Sequence, residues 1–191
     1  MARCRICHAE FKRLRMGQKV CGEIACAVEW GQLESARQKA RAERAAARET
    51  KARLEKLKTR SAWMKEAQVA FNAFIRARDK DKPCICCGLP LVVEADALTG
   101  GGFDCGHYRS TGSAPHLRFD ERNAHGQRKQ CNRWGSGRAV DYRLGLIARI
   151  GREAVEALEA DQTSRKYTSS ELQAIKAHYK VKLKELKDCG G

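Results

Sequence analysis

Ten cysteines set mostly in close pairs, long Ala/Arg/Lys/Glu runs free of glycine and proline, and a Gly-, His- and Asn-rich stretch between them predict one fold class. It is a mostly helical α+β metalloprotein with a zinc-stapled ββα core, a long N-terminal basic helix and C-terminal helices. Four segments follow from the composition shifts along the chain: a cysteine-bearing module at 1–28, a basic helical region at 29–80, the Cys/His/Gly/Arg-rich core at 81–138 and a helical region at 139–191.

The helices are the plainest part. Gln32 to Arg60 holds ten basic and four acidic residues and is built of strong helix formers. A heptad-like seam, Leu33, Ala36, Ala40, Glu43, Ala47, Thr50, Leu54 and Leu57, would pair two copies into a homodimer, although its alanines also suit a solvated basic helix. Ser61 caps a second helix, whose stripe Trp63, Ala67, Ala70, Phe71, Phe74 and Ile75 recurs at core spacing. Pro83 and the charged run before it end that helix. Near the C-terminus Thr168 and Glu171 form a capping box, followed by an apolar stripe Leu172, Ile175, Tyr179, Leu183 and Leu186. Upstream, Tyr142, Leu146 and Ile150 mark another helix, and Gly151 breaks it.

Charge narrows the partner. Lys and Arg outnumber Asp and Glu by 38 to 23, a formal net charge of +15, and such a surface attracts polyanions, nucleic acid first among them. No apolar run approaches the ~18 residues of a membrane span. The first residues carry no apolar signal core, so a cytoplasmic protein is expected. Aromatics are only 6%, so the core is modest and metal is the natural staple.

Cys4-x2-Cys7 with Cys21-x4-Cys26 suits one tetrahedral zinc ion, each short pair clasping one side. His8 is a reserve ligand. Cys84-x2-Cys87 followed by Gly88 is half of a second site. Cys131 belongs to its other half, but the position three before it is Arg128. Cys105 is the first choice for the missing ligand and Cys86 the next, while loss of the metal stays open. Leu91–Val93 and Phe103–Cys105 read as a strand pair joined by a turn at Thr99–Gly102, with His107 at a strand end.

The runs Asp104-x-Gly-His-Tyr-Arg, Ala114-Pro-His-Leu-Arg-Phe-Asp-Glu-Arg-Asn123 and Cys131-Asn-Arg, with Ser136-Gly after them, resemble the lambdoid-phage NinG (Rap) family. The flanks Ala73–Asp79 and Leu146–Val155 agree, and the resemblance covers about Ser61 to Leu186. It implies a recombination endonuclease of the HNH, or His-Me finger, type that cuts branched DNA such as D-loops and four-way junctions inside a bacterial host. Other recombination proteins would be compatible partners. It also implies a second Cys-x2-Cys where this chain has Arg128, and a small residue where it has Cys105.

Site roles follow from that resemblance and from the chemistry. His107 would act as general base. Asn123 would orient the base and its loop. Asn132 would be the last ligand of a catalytic Mg²⁺ or Mn²⁺ ion, with Asp104 as its carboxylate, because Gly106 stands where a ligand often precedes the histidine. His125 is the reserve. Arg109, Arg118, Arg122, Arg128, Lys129, Arg133 and Arg138 would hold phosphates rather than read bases. A non-catalytic zinc-dependent DNA-binding adaptor is the alternative.

Overall fold

The computed structural model describes residues 1–91, 102–135 and 137–188. It is mostly helical, and its described residues form two small two-stranded sheets. The chain divides into two compact units between Lys58 and Thr59. The second predicted helix therefore belongs with the central segment, and not with the basic helix before it.

The first unit opens with a short hairpin. Strand β1 (Ala2–Arg3) pairs antiparallel with β2 (Glu10–Phe11). The tip is a knuckle turn in which the Cys4 amide donates to the Ala9 carbonyl at 2.9 Å and the His8 amide to the Cys4 carbonyl at 3.1 Å. His8 sits at φ 60°, a conformation non-glycine residues adopt only in tight turns. Helix α1 (Ile24–Lys56) follows and runs 33 residues, about 50 Å. It starts inside the segment expected to end at residue 28, so module and helix are continuous. Cys26 is the one buried residue of α1, so the helix stands mainly on intrinsic propensity. Leu33, Leu54 and Leu57 of the predicted seam are exposed.

The second unit is a β-ribbon between two helical layers. Helix α2 (Arg60–Asp79) is capped by Thr59, whose hydroxyl accepts from the Ala62 amide at 3.2 Å. The expected cap, Ser61, lies inside the first turn, because Thr59 is the extended residue that precedes it. The stripe from Trp63 to Ile75 is buried as its spacing predicts, and Asp79 is buried with it. Strand β3 (Asp104–His107) pairs antiparallel with β4 (Ala124–Gln127), in the register Asp104–Gln127, Cys105–Gly126, Gly106–His125 and His107–Ala124. The partner of the His107 strand is thus the segment after the loop. Val92, Val93, the turn at Thr99–Gly101, Ser136 and Cys189 lie outside the described residues. A π-helical turn (Gln130–Trp134), helix α3 (Ala139–Ile150), helix α4 (Arg152–Ala160) and helix α5 (Ser169–Asp188) complete the unit.

Side-chain alternation divides the ribbon into two faces. Cys105 and Ala124 pack with Phe71, Phe74, Ile75 and Tyr179 of α2 and α5. On the other side Tyr142 donates to the Gly106 carbonyl at 3.0 Å and leads a core of Leu146, Val155, Leu158, Ile85 and Leu117. Gly151, at φ 87°, separates α3 from α4. The capping box of α5 is reciprocal: the Thr168 amide donates to Glu171 at 2.7 Å, and the Glu171 amide to the Thr168 hydroxyl at 3.2 Å. No described helix is long and apolar enough to cross a membrane.

Helix α3 approaches the Ile85 segment so closely that a Cβ at Gly145 would lie 1.8 Å from the Ile85 carbonyl oxygen. Backbone cannot swing aside as a side chain would. Gly145→Ala is expected to destabilise the second unit by about 3 kcal/mol, read as a lower urea midpoint. An unchanged midpoint would refute this packing.

Candidate functional site: two thiolate clusters and a histidine-bearing ribbon

The sulfurs of Cys4, Cys7, Cys21 and Cys26 all lie within 4.8 Å of one another. Cys7 and Cys21 are 3.8 Å apart, which is the edge of a tetrahedron with zinc–sulfur bonds of about 2.3 Å and far too long for a disulfide. The knuckle supplies Cys4 and Cys7, the loop before α1 supplies Cys21, and the first turn of α1 supplies Cys26. Burial works against the Cys4 thiolate, but the amides of Cys21, Ile6 and Cys7 outweigh it and lower its pKa to about 6. Burial and the neighbouring thiols push Cys26 up to about 12. Four thiols in so small a space resist joint ionisation, and a dication reverses that resistance. This cluster could hold a metal ion such as zinc; the reserve ligand His8 is not in it.

The second cluster has three members, Cys84, Cys87 and Cys131, again within 4.8 Å. Its knuckle repeats the first: the Cys84 amide donates to Leu89 at 2.8 Å and the Gly88 amide to Cys84 at 3.1 Å. Gly88, at φ 68°, takes the place of His8. The Cys86 side chain and the Arg128 amide, the latter 3.3 Å from the Cys84 sulfur, help lower the Cys84 pKa to about 4. Cys105 does not join the group. It packs instead against α2 and α5, where burial pushes its thiol up to about 12. Cys86 stands beside the cluster and accepts from the Gln127 side chain at 2.8 Å.

Asp104 and His107 are three positions apart on β3, so they face opposite ways. Asp104 does meet Asn132, whose Nδ2 donates to it at 3.0 Å, and Arg133, which grips it through two nitrogens at 3.0 and 3.1 Å. Burial raises the Asp104 pKa, but Arg133 and Asn132 outweigh it and leave the carboxyl below its ordinary value. His107 lies on the α2 side, its ring 5.9 Å from that of Phe71. Its Nε2 donates to the Arg118 carbonyl at 3.1 Å, which leaves Nδ1 as the basic nitrogen. Burial lowers its pKa, with the Arg118 carbonyl opposing. A side chain at Gly106 would meet the Gln127 amide oxygen at 2.0 Å, so Gln127 would have to move to admit one.

Asn123 is fully buried and brackets the loop between the strands. It accepts from the Arg109 amide at 2.8 Å and donates to the Arg109 and Leu117 carbonyls at 3.0 and 3.1 Å. The same loop carries the Arg118 carbonyl to which His107 is bonded. His125 is also buried, its Nε2 donating to the Arg122 carbonyl at 3.1 Å while Nδ1 accepts from Arg78 at 3.1 Å.

The arginines expected on phosphate are divided. Arg109 donates to the carbonyls of Leu158, Glu159 and Asp161 at the end of α4. Arg118 donates to Gln68 and to the Thr111 carbonyl. Both guanidinium groups therefore hold the fold together. Lys129 is buried. Arg122, Arg133 and Arg138 are exposed but paired with Asp120, Asp104 and Asp141. Arg128 is half-buried beside the second cluster.

Sequence reasoning missed Asp79. Its carboxylate is inaccessible to solvent and accepts from Arg78 at 2.9 and 2.8 Å, Lys82 at 3.0 Å and the Gly126 amide at 2.9 Å. Burial opposes ionisation, but Arg78 and that amide hold the pKa far below the carboxylate range. The signal was there: Asp79 stands four residues beyond Ile75, on the buried stripe.

A strongly basic chain with cysteine clusters at two knuckles is of the class of small proteins whose short β elements could be stapled by metal. Comparison with known proteins makes this specific. The family model described as Bacteriophage Lambda NinG protein matches residues 1–188, and the chain belongs to that family. It is 52% identical over 132 residues to Protein ninG of Salmonella phage P22, covering 69% of this chain and 61% of that protein. The match to Protein ninG of Escherichia phage lambda is 51% over the same length and shares. The matched region thus spans about three fifths of these relatives. No solved structure matches the chain.

The two buried histidines give a pH dependence. Burial depresses the folded pKa of both His107 and His125, below the unfolded value of about 6.5. Above pH 6.5 both states are neutral and stability is full. As pH falls through 6.5 the unfolded chain takes up protons that the folded chain refuses, so stability drops, by at most about 2.7 kcal/mol per pH unit for two groups. Urea midpoints at pH 7.5, 6.5 and 5.5 should decline, and His107→Asn should remove about half of the histidine contribution. Identical pH slopes in wild type and variant would refute the assignment for His107.

Proposed function

We propose that this protein binds branched recombination DNA and hydrolyses a phosphodiester in it, with structural zinc at the thiolate clusters and His107 as general base. The observation that carries the reading is the setting of His107. It is a neutral imidazole at a strand end, its Nε2–H tied to the Arg118 carbonyl in a loop bracketed by Asn123, so that Nδ1 is free to take a proton from water. This makes the site compatible with the HNH type that the sequence resembles.

Asp104 and Asn132 do not fit as a Mg²⁺ or Mn²⁺ site serving that base. Arg133 neutralises the carboxylate, and the strand turns it away from His107, so no step is routed through such an ion. The same separation favours a second reading, a zinc-dependent protein that binds DNA without cutting it.

Cleavage of a labelled four-way junction, beside its linear duplex and with Mg²⁺ or Mn²⁺ added, separates the two. Wild type should nick the junction, and His107→Ala should lose about 100-fold or more of that rate with binding retained. Junction binding with no nicking under either metal would replace this reading with the second.

DNA binding is supported independently by α1. Arg37, Arg41, Arg44, Arg48 and Lys51 recur at steps of four and three, so they share one face. Arg37 pairs with Glu34 at 2.9 Å, whereas the other four make no ion pair among the described residues. Four such cations on duplex phosphates would release about four counterions. Replacing Arg41, Arg44, Arg48 and Lys51 by Ala should weaken duplex binding and reduce the slope of log K against log salt by about 3 to 4. An unchanged slope would exclude α1 from the interface.

A further inference from the structure

The two thiolate clusters share a plan, and they differ in the number of cysteines, four in the first and three in the second. In the first, the knuckle gives Cys4 and Cys7, the loop before α1 gives Cys21, and the first turn of α1 gives Cys26. In the second, the knuckle gives Cys84 and Cys87, and the first turn after β4 gives Cys131. Arg128 parallels Cys21 in one respect: the backbone amide of each lies on the first sulfur of its knuckle. Its amide donates to the Cys84 sulfur at 3.3 Å, and its carbonyl accepts from the Cys131 and Asn132 amides at 2.9 and 3.0 Å. The backbone for a fourth ligand is therefore present. A guanidinium is not a metal ligand, because it stays protonated. Among the described residues no other Cys, His, Asp or Glu joins the group.

The exchange alters charge as well as ligand number. Four thiolates around a zinc ion leave two net negative charges; three leave one, and the Arg128 cation cancels it. A tetrathiolate centre repels anions, whereas this one does not. Beside it opens a cavity of about 580 Å³ lined by Cys87, Arg128, Gln130, Cys131, Trp134 and Arg138. Arg138 is held by Asp141 at 2.7 Å, but Arg128 has no ion-pair partner among the described residues.

We propose that the second cluster is a three-thiolate zinc site whose fourth position takes an oxygen of a phosphate group from outside the chain, with Arg128 as its counter-charge. The proposal rests on the zinc reading above, and goes beyond it in giving that centre a ligand. The phosphate is either free or part of a nucleic-acid backbone.

Cobalt replacing zinc in the full chain reports both features, since its visible bands differ between four sulfurs and three sulfurs plus oxygen. Two cobalt ions per chain are expected, one of each kind. Inorganic phosphate in one arm, and a short DNA duplex in the other, should shift the bands of the mixed site alone. A response to phosphate only identifies the free ion; a response to both identifies the backbone. Arg128→Ala should weaken the response roughly tenfold. Arg128→Cys should abolish it and give a second tetrathiolate spectrum.

Two tetrathiolate spectra in the wild type, or a mixed site indifferent to both probes, would overturn the open position while leaving the zinc reading intact. One cobalt per chain would overturn both.

Discussion

Burying a carboxylate costs several kcal/mol unless cations and amides surround it, and the second unit is arranged around one such group. Asp79 ends α2, yet its partners reach it from three other segments of the unit. Lys82 comes from the start of the knuckle segment, the Gly126 amide from β4, and Arg149, at 3.7 Å, from α3. Arg78 extends the network to the Glu121 and Ala124 carbonyls, and Arg149 to that of Pro83. A single ionised group thereby ties the end of the main core helix to the ribbon, the helix behind it and the approach to the second thiolate cluster. Apolar packing alone would fix none of these directions so narrowly, because hydrophobic contact has no angular preference.

The same logic distributes the arginines. In the second unit Arg78, Arg109, Arg118 and Arg149 are spent on backbone carbonyls and on Asp79, where the guanidinium fork satisfies several acceptors at once. They close loops and helix ends that a core of modest aromatic content does not cover. The net charge of +15 therefore overstates the cations open to an anionic partner in that unit. In the first unit the balance is reversed. Helix α1 buries one residue and leaves most of its basic side chains to solvent. Basicity in the two units thus does different work, structural in one and exposed in the other.

Much of this was legible in the sequence. The apolar stripes of α2 and α5, the capping box at Thr168, the break at Gly151 and the grouping of Cys4, Cys7, Cys21 and Cys26 all depend on local spacing, and local spacing is what a sequence displays. Three features were not legible. The Asp79 network depends on partners 43 to 70 residues away along the chain. The strand register decides which way Cys105 points, and a shift of one residue would reverse it. The tasks of Arg109 and Arg118 depend on where α4 and α2 come to rest, which composition does not encode. Asp79 alone could have been found, since a charge in register with a buried stripe signals a network rather than a helix end.

Register also decides what can cooperate with His107. Gly126 of the ribbon is tied to Asp79 and the Gly106 carbonyl to Tyr142, and the Gln127 side chain fills the space over Gly106. A one-residue slip would break all three contacts together, so the ribbon has one admissible register. Asp104 then belongs with Asn132 and Arg133 at the turn after β4, while His107 belongs with Phe71, the Arg118 carbonyl and the loop that Asn123 clamps. Proton transfer by His107 must take place on the α2 side of the ribbon, with whatever the loop and that helix admit. The carboxylate on the other side keeps the turn after β4 anchored to the ribbon, and with it Arg128 and Cys131 at the edge of the second cluster.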